Sequence, residues 1–264
     1  MRRRLAAAAL AVAALLPACK STIEKASQLP EPSPAVSDLV DYRNGLVMLR
    51  EGRVDQAIQQ LSSARAAYPR NAEVANALGL AFLYKKDYRN AKKTLDEALS
   101  LDENLFDARN NRGVVLMEEG KLEEAEKDFL DVLARPKPAD RRDARYNLAL
   151  LRSRQLRWAD AERELTTLLA DDPGYLKAAR ERGVARMKQE DFRGALEDFL
   201  LVLREDPKDV VSNYNAALCL LAADRRDLAV LYMERTIQAA PESDEAKKAR
   251  RFLGGEPASP GRDR

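Results

Sequence analysis

Small and apolar residues return along this chain with a period of 34 laid over a helical rhythm. Gly45, Gly79 and Gly113 are each 34 residues apart, and Ala149, Gly183 and Ala217 hold the same place after a slip of two residues. A second series, Ala57, Ala91, Ala125, Ala161, Ala195 and Ala229, slips at the same point. A third is proline, at Pro69, Pro173, Pro207 and Pro241. Six units follow, 38–71, 72–105, 106–139, 142–175, 176–209 and 210–243, each a helix, a turn and a second helix. Numbering places from the start of each unit, small residues at places 8 and 20 let two antiparallel helices approach closely, so a large residue at Ala125 or Ala195 should overpack by about 1–3 kcal/mol. Apolar Val54, Tyr88, Leu122, Trp158, Phe192 and Leu228 are expected to open the second helices, and Leu61, Leu95, Phe129, Leu165, Phe199 and Met233 occupy place 24. Proline at place 32 stops the second helix, because it lacks the N–H and clashes with the preceding turn.

The pattern reads Trp158 as a core residue and Cys219 as a small buried hydrophobe. Asp244–Leu253 repeats the helical spacing, with Ala246, Ala249 and Leu253 on one face, as a single helix capping the last apolar edge would. Its Lys247, Lys248, Arg250 and Arg251 read as a solubilising outer face, and 254–264 as a tail. Two units break the apolar rule together. Arg112 and Arg182 stand at place 7, where two neighbours have Leu78 and Leu148, and the same two units carry Asp128 and Asp198 at place 23. Each Arg is therefore expected to pair with its Asp across the hairpin, since an unpaired buried guanidinium is costly. These are structural charges.

A 34-residue helix–turn–helix period resembles the tetratricopeptide repeat. The resemblance implies an all-α, right-handed solenoid of six repeats with a capping helix. In that family the concave wall, lined by places 2, 5, 6, 9, 12 and 13 of the first helices, binds partners. Place 9 here reads Leu46, Leu80, Val114, Leu150, Val184 and Leu218, and place 12 reads Leu49, Leu83, Met117, Ser153, Met187 and Leu221. Such a stripe suits a hydrophobic segment or amphipathic helix as ligand, unless these residues pack only against each other. Tyr42, Asn76, Asn110, Asn111, Tyr146, Asn147, Arg180, Tyr214 and Asn215 would rim it. Family members that clamp a C-terminal carboxylate carry Lys and Asn at places 5 and 9 of one repeat, and no repeat here has that pair.

Composition narrows the chemistry. The chain has no histidine, which removes His-based nucleophile activation and His metal ligation. Its two cysteines cannot build a thiolate zinc site, and neither a phosphate-binding loop nor a CxxC pair is present. Adjacent carboxylates such as Glu123-Glu124 and Asp171-Asp172 fall on solvated faces or turns. The expectation is a protein without enzymatic activity, cofactor, metal or small-molecule substrate. Against 45 basic residues stand 43 acidic ones, so nothing points to nucleic acid.

The amino end reads as an address. Arg2–Arg4 precede a twelve-residue apolar run, Leu5–Leu16, shorter than the roughly 20 residues that cross a bilayer. Leu16-Pro17-Ala18-Cys19 then resembles the lipobox of bacterial lipoproteins, which implies cleavage after Ala18 and covalent lipid on Cys19. The alternative is an ordinary secretory signal that leaves a free thiol. Two or three acyl chains anchor durably, where one holds weakly. By the same resemblance, Lys20 in place of the Asp that retains lipoproteins at the inner membrane favours the outer membrane. Residues 19–37, with Pro30, Pro32 and Pro34, read as a tether reaching at most about 60 Å.

The whole mature chain resembles the outer-membrane pilotin lipoproteins of type IV pilus systems. The likeness rests on Ala108-Arg109-Asn110-Asn111-Arg112-Gly113-Val114 and on the longer junction Ala134–Arg142 between repeats 3 and 4. It implies a periplasmic helper, moored by lipid, that binds secretin subunits and promotes their assembly at the outer membrane. A scaffold lipoprotein organising another envelope complex is the competing expectation.

Overall fold

The computed structural model describes residues 39–134 and 141–254. The address segment, Cys19, the tether, most of the repeat 3–4 junction and the tail lie outside them. The described residues form thirteen α-helices and no strand. The first helices of the six repeats are α1 (Val40–Arg50), α3 (Ala72–Tyr84), α5 (Phe106–Glu118), α7 (Arg141–Arg154), α9 (Leu176–Lys188) and α11 (Val210–Ala222). The second helices are α2 (Val54–Ala67), α4 (Tyr88–Leu101), α6 (Leu122–Leu133), α8 (Trp158–Asp171), α10 (Phe192–Glu205) and α12 (Arg226–Ala239), followed by α13 (Asp244–Leu253). The chain divides into two units, Met1–Ala144 and Arg145–Arg264, with the boundary inside α7.

Within each unit the hairpins close through missing side-chain volume. A Cβ added at Gly79 would lie 2.6 Å from Leu95 Cγ, and one at Gly113 2.6 Å from a Phe129 ring carbon. Gly45 against Leu61 and Gly183 against Phe199 repeat the contact at 2.5 and 2.8 Å. Place 8 is therefore the seat of place 24, and every place-24 side chain is buried. Place-20 alanines from Ala57 to Ala229 are fully buried. α2, α8, α10 and α12 end two residues before Pro69, Pro173, Pro207 and Pro241. Side chains of Asn71, Asp87, Asp191, Asp209 and Ser243 cap the helices that follow them by accepting a backbone N–H, each cap contributing about 1 kcal/mol.

The turn inside every hairpin places its place-15 residue in the left-handed region. Glycine supplies it at Gly52 and Gly120, but Lys86, Leu156, Glu190 and Asp224 adopt φ of 62°, 59°, 64° and 57°. Such a residue costs about 1–2 kcal/mol relative to right-handed backbone, because Cβ crowds the following carbonyl.

Three expectations need correction. In the last repeat the second helix opens on Arg226, two residues ahead of Leu228, and the Arg226 guanidinium lies 5.2 Å from the Phe252 ring centroid. Trp158 is half-buried at the start of α8, with Lys188 Nζ 5.9 Å from its ring centroid, so it is a boundary residue. In α13, Ala246 and Ala249 are buried as expected, but Phe252 packs on the core while Leu253 is exposed. Cys219 is buried at 1% exposure, and burial, with a smaller push from Asp191, raises its thiol to about 12.

Candidate protein-binding site

The two Arg–Asp pairs are present, and both lie inside hairpins. Arg112 donates from Nε to Asp128 Oδ2 at 2.8 Å and from Nη2 to Oδ1 at 2.6 Å, and its Nη1 reaches Asp96 Oδ1 at 3.0 Å. Arg182 grips Asp198 in the same way, Nε to Oδ2 at 3.0 Å and Nη2 to Oδ1 at 2.6 Å. The sequence reading missed Arg186, whose Nη1 adds a third cationic donor to Asp198 at 3.0 Å while its Nε bonds Glu162 at 2.8 Å. Asp128 and Asp198 side chains are 5% and 3% exposed, but Arg112 and Arg182 are 24% and 16% exposed. Only the carboxylate side of each pair is dry. The bond to Asp128 pushes the Arg112 guanidinium above its usual range, which fixes its charge.

The residues expected to form a binding stripe fall into two populations. In the first unit Leu46, Leu49, Leu80, Leu83, Val114 and Met117 are all buried, at 4% exposure or less. Their supposed rim is also interior there: Tyr42 and Asn76 are fully buried, and Asn110 and Asn111 are 8% exposed. Asn111 Nδ2 donates to Asn76 Oδ1 at 2.9 Å, linking two successive first helices. The Tyr42 hydroxyl and Asn76 Nδ2 find no hydrogen-bond partner among the described residues. Burial, then the carboxylates of Glu73 and Asp107, pushes the Tyr42 phenol up, so it stays a neutral donor.

The second unit keeps a surface. Leu150, Val184, Met187, Leu218 and Leu221 are half-buried, each with one side against a core cluster and the other open, and Ser153 is half-buried beside them. Tyr146 and Asn147 are buried, and the Tyr146 ring meets Tyr175 edge-on at 5.5 Å. Arg180, Tyr214 and Asn215 remain half-buried at the border. Arg180 is held by Asp209 at 3.0 Å and Glu181 at 3.7 Å. Burial and the nearby Glu245 raise the Tyr214 phenol, with Arg251 opposing. Among the described residues no group of three or more acidic or cysteine side chains could hold a metal ion. What this face offers is apolar contact with hydrogen-bonding and charged edges.

Four stretches, residues 42–88, 76–141, 146–210 and 180–244, match the family profile described as tetratricopeptide repeat. The chain belongs to the tetratricopeptide repeat family. Proteins of this family are in general protein-interaction modules, and the fold is accordingly all-helical. Among solved structures, PilF of Pseudomonas aeruginosa is 22% identical, with a TM-score of 0.70 over 81% of this chain and 95% of its own. PilW, described as a widely conserved type IV pilus biogenesis factor, is 19% identical, with a TM-score of 0.73 over 82% of this chain and 98% of its own. YrrB, described as a repeat protein with an unusual peptide-binding site, is 19% identical with a TM-score of 0.56, over 72% of this chain and 97% of its own. At these identities the likeness is one of fold. A search of curated protein sequences gave no match.

Proposed function

We propose that this tetratricopeptide repeat protein is a lipid-moored pilotin. Acyl chains on Cys19 hold it at the outer membrane, the tether sets its repeats into the periplasm, and a first-helix face captures a secretin subunit for assembly into the ring of a type IV pilus system. It has no catalytic step: binding energy brings the subunit to the membrane. The observation that supports this most is length-matched likeness, since the helical array corresponds to nearly the entire solved chains of PilF and PilW. The half-buried apolar face of the second unit supports it chemically. Side chains seated on a core lose little entropy when a partner covers their open side.

The test is the level of secretin multimers in a strain lacking this gene. Multimers should fall and return when the wild-type gene is restored, and Cys19→Ser should fail to restore them at the outer membrane. Leu150→Asp with Leu218→Asp should leave the protein folded and lipidated but unable to restore multimers. Normal multimers in the deletion strain would defeat the pilotin reading in favour of a scaffold for another envelope complex.

A further inference from the structure

The face of the second unit carries a lysine ammonium over an aromatic ring at each edge. At one edge Lys188, the last residue of α9, is exposed beside Trp158. At the other, α13 places Lys248 Nζ 6.0 Å from the Tyr214 ring centroid and brings Arg251 close enough to act on that phenol. An ammonium over a ring face is steered by the ring's quadrupole yet keeps N–H donors turned outward. Lys188, Lys248 and Arg251 are all exposed, and none has a carboxylate partner among the described residues. Arg180, one repeat earlier at the same edge as Tyr214, is already balanced by Asp209 and Glu181. Glu245 acts on Tyr214 against the two cations there, and Glu190 lies two residues beyond Lys188.

The spacing selects the shape of what fits. Tyr214 stands at place 5 and Lys188 at place 13 of their repeats, eight residues apart in helix register. Eight residues span about 12 Å, the diameter of an α-helix with its side chains. The apolar places 9 and 12 lie between these edges. Packed helices sit about 8–10 Å apart, close to the roughly 10 Å that a helix advances in seven residues. A helix crossing α7, α9 and α11 would therefore meet Leu150, then Val184 and Met187, then Leu218 and Leu221 with apolar residues repeating every seven.

We infer that the second unit's first-helix face is the docking site for an amphipathic helix of a protein partner whose apolar stripe is flanked on both sides by Asp or Glu. This rests on the protein-binding reading above and specifies its partner. The stripe side chains are seated in core clusters instead of protruding, so a flat lipid surface could not reach them as a helix ridge can.

The probes are three labelled helical peptides about 20 residues long: one with a seven-residue Leu repeat flanked by Glu, one with the same stripe flanked by Lys, and a scrambled Glu version. Binding to the full chain carrying Cys19→Ser is read by anisotropy and by the fluorescence of Trp158, the sole tryptophan. The Glu-flanked peptide should bind at least about tenfold more tightly than the Lys-flanked one at low salt and lose that advantage near 0.5 M salt. Lys188→Glu, and Lys248→Glu with Arg251→Glu, should each weaken it by about three- to tenfold, and all three together should reverse the preference. Circular dichroism confirms that the variants fold. Equal affinity for Glu- and Lys-flanked peptides, or indifference to these substitutions, overturns the inference. So does Lys188-dependent pelleting with phosphatidylglycerol vesicles when the peptides are ignored, which would make the face a membrane contact. If the triple variant restores secretin multimers in the deletion strain as well as wild type does, the acidic-helix inference fails and the pilotin reading stands. Loss of the pilotin reading through normal multimers in the deletion strain leaves the peptide result untouched.

Discussion

Replacing Arg112 by Leu puts into repeat 3 the residue that repeats 2 and 4 already carry at that place, where Leu78 and Leu148 are buried. The substitution strands Asp128, a carboxylate 5% exposed whose described hydrogen bonds come from this one guanidinium. Breaking a buried pair in this way costs about 3–5 kcal/mol. The converse change, Asp128→Thr, leaves a guanidinium that is 24% exposed and still bonded to Asp96, so it should cost only about 1–2 kcal/mol. The double variant installs the Leu–Thr combination that repeat 2 has at Leu78 and Thr94, where the threonine hydroxyl bonds its own helix at 2.8 Å. It should lie within about 1 kcal/mol of wild type, giving a coupling energy of about 3–7 kcal/mol. Urea unfolding of the four proteins, followed by far-ultraviolet circular dichroism, measures it. Single-variant losses that simply add in the double variant, or an Arg112→Leu cost below about 0.5 kcal/mol, would refute the claim that the dry carboxylate sets the penalty.

In repeat 5, Arg182→Leu should cost less than Arg112→Leu, because Arg186 still bonds Asp198 at 3.0 Å; an equal or larger loss in the same titration would contradict this. Leu156→Gly should raise stability by up to about 1 kcal/mol, since the 71%-exposed side chain contributes little burial and the left-handed strain is relieved, offset by the greater entropy of unfolded glycine; a lowered thermal midpoint counts against it. The Cys219 thiol ionises at about 12 when folded against 9.0 for the free group, so its burial stabilises fully below pH 9 and that contribution is lost as pH rises toward 12. Stability should therefore fall by about 1 kcal/mol near pH 10, and Cys219→Ala should lack that component. Asp209→Ala removes the acceptor held 2.7 Å from Ser212 N and should cost about 1 kcal/mol in the same unfolding assay.

Periodicity carried most of the architecture. It located the hairpins, the seating of place 24 on place 8, the stopping prolines, the capping helix and the Arg112–Asp128 and Arg182–Asp198 pairs. Those are features in which residue identity alone forces a partner: a missing side chain needs a large neighbour, and a charge among apolar residues needs its opposite. Depth was not legible in the same way. Leu80 and Leu218 share place 9, yet one is buried and the other half-buried, because exposure depends on what lies over a face and not on its register. The left-handed turn was obscured because glycine marks it in only two of six copies. Arg186 escaped notice because it sits one helical turn from Arg182, outside the place that broke the apolar rule. The cationic edge at Tyr214 needed α13 folded back beside α11, an arrangement that no periodic spacing encodes.

Because Arg112 and Arg182 each find the buried carboxylate of their pair sixteen residues onward in the same hairpin, the dry half of the charge balance is contained in one module, and only the more exposed Asp96 and Glu162 contacts cross a border. Gene duplication, deletion or recombination at its borders moves both halves together and orphans neither. Lineages of this array could therefore gain or shed charged hairpins as readily as apolar ones, and charge at place 7 would track the ancestry of individual modules.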